Sequence, residues 1–166
     1  QEDGLKVNQM DLGDEKAFLE ATARIDLENF ADWLALEIYT DNSDWPQNNV
    51  TVWRERSSSG RWRWAVNDLD STFNGWGFGV DTNTLHRVLQ QTPISTERLS
   101  AVDFVVQIPA HRAFRDRFLN RFADLLNTTL SASNVLGQIG RIHDTLAPAM
   151  PSHIQRWGSE SNGLVA

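Results

Sequence analysis

Two β-type runs joined by a short polar turn dominate what this chain can become. Residues 50–56 read VTVWRER, the turn is SSSG, and residues 61–67 read RWRWAVN. In the second run Trp62, Trp64 and Val66 share one face, while Arg61, Arg63 and Ala65 share the other. A period of two on either side of a Gly-containing turn predicts a β-hairpin. Antiparallel strands lie about 5 Å apart, so a hairpin brings its two ends together. Both ends here are polar. Asp44-Trp45-Pro46-Gln47-Asn48-Asn49 precedes the first strand, and Asp68-Leu69-Asp70 follows the second. The hairpin therefore gathers carboxylate and amide oxygens from two loops into one place. Trp45, Trp53, Trp62 and Trp64 lie in the same stretch. They are expected to form the core that clamps the hairpin on its helices; a stacking platform for a sugar or base is their other use.

The flanking elements are helical. Residues 1–12 are polar and read as an extended lead-in, and residues 14–23 as a short helix. Over 26–40, Leu27, Phe30, Leu34 and Ile38 repeat at three-to-four spacing, and Trp33 widens the stripe. Asp26 is placed to cap that helix, with Glu28 in its first turn. It stops at DNSDWP, a run of turn formers. After the hairpin, DLDSTFNGWGFGVDTN predicts loop. Helices then follow over 84–91 and 96–106, the latter capped by Thr96. Pro109 suits the first turn of a long helix bearing Phe114, Phe118, Phe122, Leu125 and Leu126. Ser131 or Ser133 caps another with Val135, Leu136, Ile139, Ile142 and Leu146, and residues 150–157 close the chain. The fold class is α+β, mostly helical, with one β-hairpin between the first helices and a helical bundle. At 166 residues this is one domain, or part of a larger one.

Composition narrows the chemistry. A net charge of −7 and a pI near 5.0 argue against non-specific nucleic-acid binding, which needs a basic face. With no cysteine, thiolate zinc sites, disulfides and thiol nucleophiles are excluded. No run of about 18 apolar residues exists to span a membrane. His86, His111, His143 and His153 show no paired metal-binding spacing and read as surface or capping residues. Oxygen-only ligands suit a hard cation, Mg²⁺ or Mn²⁺. The chain begins QEDG, without Met or a signal peptide, and reads as a processed or excised fragment.

Spacing adds a second constraint. A protein-kinase catalytic loop places its base Asp five residues before a metal-binding Asn, and a metal-binding Asp follows a hairpin. Asp44 lies five residues before Asn49, a hairpin follows, and then Asp68. The kinase Gly after the last motif is replaced by Asp70. The plainer readings are a turn residue for Asp44, a polar turn for Asn48 and Asn49, and loop caps for Asp68 and Asp70. Arg54 is open to contact with a phosphate or to an ion pair with Asp44 or Asp68.

The segments IDLENFADWLALEIYTDNSDWPQNNVTVWR, GRWRWAVNDLDSTF, FRDRFLNRFADLLNTTL and MPSHIQRW together resemble the CotH kinase family, over roughly residues 25–157. That family is named for a bacterial spore-coat protein and has a divergent protein-kinase-like fold. The resemblance implies an ATP- and Mg²⁺-dependent protein kinase acting on serine, in a secreted, cell-surface or spore-coat setting. Carried over by position, Asp44 is the catalytic-loop Asp, and Asn49 and Asp68 hold metal. Asp70 is a further ligand or a neighbour of one. Asn48 orients Asp44 or joins the metal shell, and Asn48, Asn49 and Arg54 face the nucleotide. The family's upstream N-lobe supplies a Lys for the ATP phosphates, and neither Lys6 nor Lys16 has that context. The chain is thus expected to be a C-lobe that begins after the N-lobe, monomeric as a fragment and weakly active or inactive alone. The alternative is a non-catalytic binding or coat-assembly module that keeps the fold and the cation site. A Trp-rich carbohydrate-binding module is a third, weakened by the helical content.

Overall fold

The computed structural model describes residues 12–73, 81–90 and 101–158. The expected extended start, the Gly-rich part of the loop after the hairpin and the Thr96 cap lie outside these residues. Two compact units divide the chain, residues 1–122 and 123–166.

The first unit is built around α2, Leu27–Tyr39. The sequence fixes its start: Asp26 takes an extended backbone and its side chain accepts from the Asn29 N–H at 3.1 Å. That satisfies one of the donors a helix start leaves unpaired. Helix α1, Glu15–Thr22, begins the same way, with Asp14 accepting from Ala17. The buried face of α2 carries Phe30, Trp33 and Leu34 as expected, and also Glu37.

Strands β1 (Thr51–Trp53) and β2 (Arg63–Ala65) pair antiparallel, with Val52 opposite Trp64 and Trp53 opposite Arg63. Both are shorter than the runs that predicted them. The hairpin is fastened to α2 by backbone mimicry. The Asn29 amide donates to the Trp64 carbonyl at 3.1 Å and its oxygen accepts from the Trp64 N–H at 2.7 Å. Below that, Trp62 N–H donates to the Arg24 carbonyl and Asp26 N–H to the Trp62 carbonyl. Arg63 completes the fastening on Asp26, at 2.9 Å. At the tip, a side chain on Gly60 would run into the Glu55 carbonyl, so glycine is required there.

The four tryptophans divide two and two, which corrects the expectation of a common core. Trp45 and Trp64 are buried, whereas Trp53 and Trp62 are 50% and 38% exposed. A two-stranded sheet with one helix against it buries little of either face. The exposed rings are covered by arginines instead: Arg63 lies over Trp53 and Arg54 over Trp62. The buried pair joins an aromatic core in which Phe30 meets Trp64 edge-on at 4.7 Å and Trp33 meets Trp45 at 5.6 Å. Phe114 and Phe118 of α5 complete it.

Helices α3 (Thr84–Leu89), α4 (Ala101–Ala110) and α5 (Arg112–Asn127) follow. Pro109 does not open the long helix. It sits in the last turn of α4, where its missing N–H and its clash with the preceding turn disturb little more than the helix end. His111, next to it, is a further correction to the surface reading. It is buried, stacked on Phe18 at 3.7 Å, with its Nε2 3.1 Å from Glu15. In the second unit, α6 (Ala132–Leu146) and α7 (Met150–Trp157) are joined by one 3-10 turn. Ser131 stands at the N-cap of α6, but its hydroxyl donates back to Thr128 instead of capping. No described residue of α6 or α7 is buried.

Candidate functional site

The turn after α2 is where the chain departs from regular structure. Asp41 and Asn49 both adopt left-handed backbone, at φ 49° and 60°, and the Trp45–Pro46 peptide is cis. Asp and Asn enter that region more readily than other side chains. Asp44 lies between them, exposed, and next in sequence to the fully buried Trp45. The Asn49 amide donates to Asp44 Oδ2 at 3.4 Å, so the five-residue spacing does bring these two side chains together. The Asp44 N–H donates to Asn42 Oδ1 at 3.2 Å, and its carbonyl accepts from Asn48 N–H at 3.0 Å. Asn48 itself is exposed, with that backbone bond to Asp44.

The hairpin exit is tied to this turn by backbone. Ser43 sends both its N–H and its hydroxyl to the Ser71 carbonyl, each at 3.0 Å. Phe73 N–H donates to the Thr40 carbonyl at 2.7 Å. Asp68 and Phe73 are left-handed, at φ 55° and 49°. For an aromatic residue such a conformation is a real cost, and residues held this way gather at functional sites. The result is electrostatic contact. The charge of Asp70, with a smaller contribution from Asp44, pushes the Asp68 carboxyl above its usual range although Asp68 is fully exposed. Asp70 and Asp44 are thus each near enough to Asp68 to repel it. They do not converge into a cage: among the described residues no group of three or more His, Cys, Asp or Glu is arranged to hold a metal ion. Magnesium usually takes one or two carboxylates and fills its shell with water and phosphate oxygens, so this donor set fits that ion. Asn49 Oδ1, Asp68 and Asp70 are the oxygens that could hold it.

Arg54 is not beside these carboxylates. Its guanidinium lies 5.2 Å from the centre of the Trp62 ring, and among the described residues it makes no ion pair with Asp44 or Asp68. The arginine at the turn is Arg87 of α3, which nothing in the local sequence marks. It donates to the carbonyls of Asn42 at 2.8 Å and Trp45 at 3.2 Å, and lies 4.0 Å from Asp41. Thr84, one helical turn earlier, donates to Asp41 at 2.6 Å. Beneath the turn, Glu37 is fully buried and accepts from the Asn42 amide at 2.8 Å. Burial pushes its carboxyl above the usual range. Its position could have been noticed: Glu37 falls three and four residues after Leu34 and Trp33, on the apolar stripe of α2.

No helix among the described residues is long and apolar enough to cross a membrane. No curated protein and no solved structure matches the chain. One family description does match, "CotH kinase protein", over residues 2–163. The Asp-x4-Asn turn, the hairpin and the Asp-Leu-Asp exit thus sit within a match that spans nearly the whole sequence, and the chain belongs to the CotH kinase family.

Proposed function

We propose that this chain carries the base and cation side of a kinase-like phosphotransfer site, the C-lobe part, using ATP with Mg²⁺ or Mn²⁺ on serine hydroxyls of a protein. The observation that supports it most is the joining of turn and hairpin exit, which sets Asp44 against Asn49 and within electrostatic reach of Asp68. Asp44 Oδ2 is occupied by the Asn49 amide, which leaves Oδ1 to orient a serine hydroxyl and take its proton. The serine oxygen then attacks the γ-phosphorus, and the bond to the bridging oxygen of ADP breaks. Asn49, Asp68 and Asp70 hold the divalent ion, which supplies neutralisation of phosphate charge when bound. Asn48 and Arg54, both exposed, are the proposed nucleotide contacts. Catalysis of this kind is positioning and charge balance, without a covalent intermediate. By family, the setting is bacterial and extracellular, at the cell surface or spore coat.

The second reading is a non-catalytic coat-assembly or binding module. That module keeps the fold and the cation site but needs no nucleotide. Transfer of labelled γ-phosphate from ATP to a serine-containing protein decides between them. Mn²⁺-dependent transfer that Asp44→Asn lowers by about a hundredfold or more supports the kinase reading. No transfer by the wild-type chain, together with no binding of ATP with Mn²⁺ to it by calorimetry, supports the module.

A further inference from the structure

We infer that Arg87 is a positioning residue, which sets the turn that presents Asp44 without touching Asp44 itself. Two carbonyls bracket that aspartate in sequence, those of Asn42 and Trp45. One guanidinium donates to both, through Nη2 and Nη1 respectively. Asn42 and Trp45 are fully buried, so water cannot take the place of either donor. A buried carbonyl without a partner is costly, and a turn has no ladder to supply one. The planar fork of an arginine suits two acceptors at once, whereas a lysine ammonium serves them as a point charge. Thr84 grips the start of the same turn through Asp41, and Asp41 also faces Arg87. Helix α3 thereby holds the turn at its left-handed first residue and on both sides of Asp44.

The catalytic consequence rests on the phosphotransfer reading of Asp44; the geometric one does not, and the two are tested separately. In the full chain, amide hydrogen exchange is compared for wild type, Arg87→Met and Arg87→Lys. The Asp44 and Asn48 amides are expected to exchange about tenfold faster or more in Arg87→Met, with α2 and the hairpin unchanged. Arg87→Lys is expected to show a smaller rise in the same two amides. Unchanged exchange at both amides, or a rise as large in α2 and the hairpin, overturns the inference. Should Arg87→Met not fold, Arg87→Lys decides alone: wild-type exchange in it would mean that charge suffices and the fork has no role. In phosphotransfer, Arg87→Lys is expected to lower kcat by about tenfold while KM for ATP stays within about twofold. A change confined to KM contradicts a role through Asp44. A wild-type chain that neither transfers phosphate nor binds ATP with Mn²⁺ refutes the phosphotransfer reading, and the exchange comparison still decides Arg87.

Discussion

The turn at 41–49 and the hairpin exit at 66–70 supply the two halves of the candidate site, and they are held in opposite ways. The turn is locked from below. Trp45 and Asn42 are fully buried, Glu37 and Arg87 bond its polar groups, and Asp44 is what protrudes. The exit is tied at one end through Ser71, yet Asp68 and Asp70 are exposed and repel each other. A base must be positioned before its substrate arrives, and that needs rigid support. Cation ligands are different. Under the proposed cation role, mutually repelling carboxylates stay uncompensated until a positive charge binds, so this half would be completed by its ligand.

The difference in anchoring is the easiest part to break. Trp45→Ala is expected to cost about 3–5 kcal/mol of folding stability, the usual range for emptying a buried Trp site. Val66→Ala, at the half-exposed exit, is expected to cost about 0.5 kcal/mol or less. Urea unfolding measures both. Equal costs would mean that the turn is no better anchored than the exit.

Two carboxyls sharpen the comparison through pH. Asp26 straps the hairpin base, and its bond from the Asn29 N–H, helped by Arg63, holds its carboxyl below the usual 3.8. Its stabilisation is present above that value and is lost as pH falls through the lower folded pKa. Glu37 lies under the turn and is raised by burial above its usual 4.5. The unfolded chain then releases the proton first, so stability falls as pH rises from about 4.5 towards the folded value. Asp26→Ala is expected to cost about 1 kcal/mol at neutral pH and to remove the acid-side loss. Glu37→Gln is expected to remove the loss on the other side. Denaturation curves from pH 3 to 8 separate the two, and a Glu37→Gln profile parallel to wild type would show that this carboxyl does not titrate with folding.

The smallest expected effect is local to the exit. Asp70→Asn should bring the Asp68 carboxyl back towards its ordinary value with no change in unfolding. A carbon-detected NMR titration of Asp68 reads this directly. An unmoved Asp68 would place the source of its shift elsewhere.

Much of the turn and its partners was legible in the sequence, and particular residues show why the rest was not. The Asp26 cap and the stripe of Phe30, Trp33 and Leu34 are local signals, and α2 follows them. That a hairpin unites its ends is geometry, and the bonds from Ser43 to Ser71 and from Phe73 to Thr40 do tie the turn to the hairpin exit. Alternation, by contrast, says which residues share a face but not whether anything covers it. Trp62 and Trp64 share a face by period, yet Trp64 is buried against Phe30 and Trp62 is left to Arg54. The apolar stripe of α6 likewise finds no cover among the described residues, and Leu136, Ile139 and Ile142 are more than half exposed. Arg87 and His111 depend on partners tens of residues away, and no spacing rule reaches that far.

The most direct measurement is Mn²⁺ binding to the full chain, followed by electron paramagnetic resonance with and without ATP. Wild type should bind Mn²⁺ more tightly when ATP is present, and Asp68→Ala should weaken that binding by about tenfold or more. Asp44→Asn should bind within about twofold of wild type, since its proposed role is with the hydroxyl proton. Indistinguishable titrations for wild type and Asp68→Ala would contradict a cation site at the hairpin exit.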